Sequence, residues 1–141
     1  MATYLAKPDN LRIQHTKSDV IRFGVIGYGY WGPNVVRNLD HIEGSKVVAV
    51  SDKSPAALKR VAKAYPHVIV SPDSADLISS PDIDAIAVVT PVWTHYELTK
   101  AALENGKHVF VEKPFTSNAA QAEELINLAA RKNLRESRCG G

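Results

Sequence analysis

A chain of 141 residues with 45% apolar content has the size and make-up of one globular domain with one core. Its 17 basic and 15 acidic residues leave a net charge of +2, too small and too evenly spread for a nucleic-acid or anionic-membrane surface. No apolar run approaches the ~20 residues of a membrane helix, no signal-peptide pattern opens the chain, and the single cysteine, Cys139, has no partner for a disulfide or metal site, so the expectation is a cytoplasmic protein without metal.

Residues 1–19 show neither a period of two nor one of 3.6 and are expected to form a flexible leader. From Val20 the pattern is regular. "VIRFGVIG" reads as a strand running into glycines, and "PNVVRNLDHIEG" as a helix with Pro33 in its first turn and Gly44 past its end. "SKVVAVSD" is a second, valine-rich strand. "SPAALKRVAKAY" is a helix with Ser54 as N-cap and Pro55 at its first position, its face formed by Leu58, Val61, Ala62 and Tyr65. A short strand "HVIV" precedes a brief helix in "SPDSADLISS", capped by Asp73 or Ser74. "DIDAIAVVT" is nearly continuous in apolar residues, as a parallel strand covered on both faces should be. "VWTHYELTKAALENG" is a helix stopped by Gly106, "KHVFVEK" a fifth strand, and "SNAAQAEELINLAARKN" a last helix capped by Ser117 or Asn118. Strands and helices alternating through short connections predict an α/β fold over residues 20–133: a doubly wound parallel sheet with helices on both faces.

Gly27, Gly29 and Gly32 stand at G-x-G-x-x-G spacing between the first strand and the first helix. In a Rossmann-type turn the first glycine permits the tight bend, the second lets backbone approach a pyrophosphate, and the third lets helix pack on strand. The helix N-terminus offers the phosphates unpaired N–H groups and partial positive charge. Glycines cluster in many loops, so context decides. Asp52 closes the second strand 20 residues beyond Gly32, where such a fold places a carboxylate for the adenosine ribose; the competing assignment is that Asp52 merely begins the next turn. A carboxylate there repels the 2′-phosphate of NADP and bonds the 2′-hydroxyl of NAD, so NAD is favoured over NADP. Lys53 and Ser54 follow at once and could offset part of that repulsion.

"GVIGYGYWGPNVVRNL" together with "VVTPVWTHYELTKAALENGKHVFVEKP" closely resembles the N-terminal dinucleotide domain of the Gfo/Idh/MocA family, the glucose–fructose oxidoreductase and inositol dehydrogenase group. The resemblance spans about residues 21–133, and its most specific element is the tripeptide Glu112-Lys113-Pro114. It implies Thr90 and Pro91 beside the nicotinamide end of the cofactor, with His95 in the following turn, either as a cofactor contact or as a cap or packed side chain. It also implies Glu112 at the nicotinamide ribose and Lys113 as the catalytic residue reaching the substrate. An ammonium beside a substrate alcohol favours developing alkoxide character and holds the hydroxyl in place; without the family pattern, Lys113 would be an ordinary surface lysine. Tyr28, Tyr30 and Trp31 are expected at the cofactor, though Trp31 equally suits an apolar anchor on the sheet.

Family members carry a second α/β domain that supplies most of the substrate pocket, and the expectation is that this C-terminal substrate domain is absent from the chain. After "LINLAARKN" the family continues into a sixth apolar strand, whereas this chain reads "LRESRCGG". Residues 134–141 are therefore expected to be a polar tail, not the natural continuation, leaving an open sheet edge and a tendency to self-associate. Two functions follow: the cofactor half of an oxidoreductase moving hydride between nicotinamide and the secondary alcohol of a sugar, sugar nucleotide or polyol; or a stand-alone, catalytically inactive NAD(H)-binding module.

Overall fold

The computed structural model describes residues 20–111, 116, 118–132 and 136–138; the leader 1–19 lies outside them. The described strands are β1 (Ile21–Ile26), β2 (Ser45–Ser51), β3 (Ile69–Ser71), β4 (Ala85–Val88), β5 (His108–Val111) and β6 (Glu136–Arg138). All pair in parallel, in the order β3-β2-β1-β4-β5-β6. The chain winds outward from β1 to β3 and then returns to lay β4 on the other side of β1. That reversal opens a crevice between β1 and β4 at the C-terminal ends of the strands.

Five helices connect the described strands: α1 (Gly32–His41), α2 (Pro55–Ala64), α3 (Ser74–Ile78), α4 (His95–Glu104) and α5 (Ala119–Arg131). Their starts follow cap chemistry. Ser54 Oγ accepts the Ala57 N–H at 3.2 Å and Asp73 Oδ1 accepts that of Ala75 at 3.0 Å, which makes Asp73 the cap of α3. Asn118 Oδ1 accepts the Gln121 N–H at 2.8 Å and caps α5, while Ser117 lies outside the described residues. The expected helix over 92–106 divides: Val92–Thr94 is a 3-10 turn and the α-helix begins at His95. The division has a local cause, because the Thr94 N–H and hydroxyl both donate to the Pro91 carbonyl, at 2.9 and 2.6 Å, closing a tight turn first.

The sheet has a core on each face. Phe23, Val25, Val47 and Ala87 pack with Val36 and Leu39 of α1 and with Ala57 and Val61 of α2. Ile86, Val88, Val109 and Val111 pack with Leu77 of α3, Leu103 of α4 and Leu125 of α5. Successive residues of β4 alternate between these cores and all four are buried, hence its unbroken apolar run.

At the N-terminal edge of the sheet Asp84 binds β4 to β1: its carboxylate accepts from the Arg22 N–H at 2.9 Å and from Arg22 Nε and Nη2 at 3.1 and 3.0 Å. Beside it the Lys107 amine, buried at 6% exposure, donates to the carbonyls of Ser80 and Ile83. Burial pushes its pKa below the usual lysine value. This edge is a structural lock.

The C-terminal segment corrects one expectation. Glu136–Arg138 is not a free tail but a sixth parallel strand, with Val109 opposite Glu136 and Val111 opposite Arg138. Pairing at a sheet edge needs only backbone N–H and C=O groups, which polar residues supply as well as apolar ones. The edge expected to stay open at β5 is thereby occupied.

Candidate functional site

The opposite edge is where the sequence motifs converge. Gly27 follows β1, Asp52 and Lys53 follow β2, and Thr90 and Pro91 follow β4; all five line one cleft of about 680 Å³. Parallel strands place every such strand end on the same side of the sheet, so three loops far apart in sequence share one cleft.

The three glycines differ in why they are glycine. Gly27 has φ +108°, and a Cβ there would sit 2.3 Å from the Val89 carbonyl oxygen. At Gly32 a Cβ would lie 2.7 Å from the carbonyl oxygen of Gly27. Both are demanded by the chain's own packing. Around Gly29, by contrast, an added Cβ meets nothing within 4 Å. The backbone is bare there towards open space, as a cradle for a phosphate requires. Helix α1 begins directly behind it, with Trp31 at its N-cap and no side-chain cap, so its first-turn N–H groups have no side-chain acceptor.

Asp52 ties this turn to the end of β2. Its Oδ2 accepts the Tyr28 N–H at 2.7 Å and its Oδ1 accepts the Ser54 N–H at 2.8 Å. Each carboxylate oxygen keeps a second lone pair, and the half-buried side chain still lines the cleft. Asp52 thus shapes the turn and at the same time lines the cleft.

Thr90 and Pro91 sit on a stiff turn. The Thr90 hydroxyl donates to Thr94 Oγ1 at 2.5 Å, and His95 Nε2 donates to the Thr90 carbonyl at 2.6 Å. His95 is 1% exposed and absent from the cleft lining. It supports the wall from behind.

The aromatic residues of the glycine turn separate. Tyr28 points into the core formed with α1 and α2, where burial raises its pKa, so its N–H rather than its ring serves the site. Tyr30 is 86% exposed and stacks edge-on against Trp31 with ring centres 4.9 Å apart. Trp31, at 52% exposure, is no sheet anchor. Neither ring lines the cleft. Glu112, Lys113 and Pro114 lie outside the described residues; β5 ends at Val111 on the cleft edge of the sheet.

Trp93 lines the cleft, and sequence reasoning had passed over it. A signal existed: it stands two residues after Pro91, in the connection that follows β4. Among the described residues no cluster of three His, Cys, Asp or Glu side chains could hold a metal ion, and no helix is long and apolar enough to cross a membrane.

A bare-backbone turn at the switch point of a parallel sheet, an uncapped helix N-terminus and a carboxylate fixed at the end of β2 together fit a dinucleotide and define a dinucleotide-binding α/β domain. Residues 21–137 match the Gfo/Idh/MocA family, described as an oxidoreductase family with an NAD-binding Rossmann fold, and the chain belongs to that family. The uncharacterized oxidoreductase YdgJ of Escherichia coli K12 is 43% identical over 112 residues, which cover 79% of this chain and 32% of YdgJ. Among solved structures, scyllo-inositol dehydrogenase from Lactobacillus casei, with bound NAD(H) and scyllo-inositol, superposes with a TM-score of 0.78 at 30% identity, over 84% of this chain and 36% of that one. KijD10, a 3-ketoreductase from Actinomadura kijaniata in complex with TDP-benzene and NADP, gives 0.78 at 30% identity, over 84% and 38%. The chain thus spans about a third of the length of these relatives and corresponds to their NAD(P)-binding domain.

Proposed function

We propose that this chain is the cofactor-binding half of an oxidoreductase that prefers NAD and acts on the secondary alcohol of a sugar, sugar nucleotide or polyol, in the cytoplasm. The observation that carries the cofactor preference is the Asp52 carboxylate, held by the N–H groups of Tyr28 and Ser54 at 2.7 and 2.8 Å and lining the cleft. Its remaining lone pairs accept from the ribose 2′- and 3′-hydroxyls, and its charge repels a 2′-phosphate. Lys53 beside it moderates that repulsion. The Gly29 backbone and the start of α1 hold the pyrophosphate, with Tyr30 and Trp31 alongside. Thr90 and Pro91 border the nicotinamide end. The substrate class is supported by the inositol ligand of the Lactobacillus casei relative and the nucleotide-linked ligand of KijD10.

The bound nicotinamide supplies a two-electron hydride acceptor or donor. Lys113, by resemblance to the family, holds the substrate hydroxyl and stabilises its developing negative charge, while Glu112 meets the nicotinamide ribose.

Calorimetric titration of the chain is expected to show NADH binding more tightly than NADPH. Binding of neither at millimolar cofactor overturns the dinucleotide assignment, and a large preference for NADPH overturns the role of Asp52. For Lys113, alanine at the matching position of a full-length relative should cut kcat by about 10²-fold or more, in the range of general acid–base and electrostatic groups, with little change in cofactor affinity. Unchanged turnover removes the lysine from the mechanism.

A further inference from the structure

We propose that the indole of Trp93 is the stacking wall for the adenine base, an inference that rests on the dinucleotide assignment of the cleft and adds a residue to it. The course of the ligand fixes where the base must lie. With the pyrophosphate at the Gly29 turn and the ribose at Asp52, the base, bonded to that same ribose, continues into the part of the cleft beyond Asp52. The cleft lining includes, besides Asp52, Lys53 after β2, Pro72 after β3, and Trp93 and Leu98 after β4. Trp93 carries the only aromatic ring among the described lining residues.

Its state in the protein is that of a ring awaiting a partner. Trp93 is 75% exposed, far from the burial usual for an indole. It takes part in none of the ring contacts among the described residues, which are Tyr30 with Trp31, Tyr65 with His67 and Lys100 over Tyr96. Yet the backbone carrying it is held firmly. Thr94 bonds back to the Pro91 carbonyl through both its N–H and its hydroxyl, and His95 Nε2 bonds the Thr90 carbonyl at 2.6 Å. An apolar ring displayed to water from a pinned turn loses little ordering entropy when a flat partner arrives. A purine offers that partner, since stacking needs only a π face.

The test uses the whole chain and its two tryptophans, Trp31 and Trp93. In the native chain indole emission should be quenched by AMP and by ADP-ribose, both of which carry the adenine, but not by nicotinamide mononucleotide, and the quenching should be lost in Trp93→Leu, which keeps Trp31. By calorimetry, Trp93→Leu in the otherwise native chain should weaken AMP, ADP-ribose and NADH by the same factor, about tenfold or 1.4 kcal/mol, and Trp93→Phe should recover part of it. A common factor across ligands that share only the adenylate half is a signature that general loosening of the cleft would not give. NADH binding unchanged in Trp93→Leu overturns the stacking role and leaves the dinucleotide assignment standing. Failure of the native chain to bind NADH overturns both.

Discussion

Gly27→Ala is expected to be the most damaging single methyl that can be added to the described part of this protein. A left-handed φ of +108° is strained for any L-residue, and the new Cβ would lie 2.3 Å from the Val89 carbonyl oxygen, a contact no rotamer can relieve because both atoms belong to the backbone framework. The strand ends must move apart, and they are held by hydrogen bonds from the Gly27 N–H to Ser51 and from the Val89 N–H to Ile26, each 2.8 Å. A loss of about 3 kcal/mol or more follows, a large share of the 5–15 kcal/mol typical of a domain. Urea denaturation should show the midpoint collapse or the variant fail to fold; stability equal to the native chain would contradict the geometry of the turn. Gly29→Ala is the counterpart. Its Cβ meets nothing within 4 Å, so stability should stay within about 0.5 kcal/mol while NADH affinity falls tenfold or more. If affinity also holds, the Gly29 backbone is not where the pyrophosphate approaches.

That contrast also shows how far sequence could be read. Spacing places three glycines in a turn, yet only three-dimensional packing reveals that Gly27 and Gly32 answer to the protein and Gly29 faces open space. The alternation of strands and helices was legible because prolines, glycines and cap residues punctuate it and because the core strands are rich in valine and isoleucine. What escaped was decided by interactions that leave no periodic trace. Glu136–Arg138 pairs through backbone groups that look alike in any non-proline residue. Tyr28 is buried and Tyr30 is 86% exposed although both stand in one turn, where no regular period predicts direction. Lys107 reads as a surface charge at the start of a strand, but its acceptors come from the connection between α3 and β4, 24 and 27 residues away. At the site, Asp52 and Lys53 stood out because they close the second strand, and Thr90 and Pro91 because of the resemblance to the family; all four line the cleft. Trp93 did not, because an aromatic in a helix-like run, with Tyr96 three residues on, reads as core.

Asp52→Asn separates two accounts of the site that otherwise predict the same phenotype. If the carboxylate acts only by its charge, the amide should relieve repulsion of the 2′-phosphate and raise NADPH affinity at little cost in stability. The hydrogen bonds argue otherwise. Two backbone N–H groups, from Tyr28 and Ser54, converge on the two carboxylate oxygens at 2.7 and 2.8 Å, and an amide has one oxygen and one NH₂. One backbone donor must then face another donor. Losing a charge-assisted bond of this kind costs about 1.5–3 kcal/mol, and Asp52→Ala, which loses both, should cost more. Because the Tyr28 N–H tethers the glycine turn to the end of β2, the cradle for the phosphates loosens with it. NADH and NADPH should therefore weaken together in Asp52→Asn, with the urea midpoint falling in parallel, and the variant should not become an NADPH binder. Native stability combined with a gain in NADPH affinity would reduce Asp52 to a charge. Joint loss of stability and of both cofactors would show that Asp52 builds the turn on which cofactor binding depends.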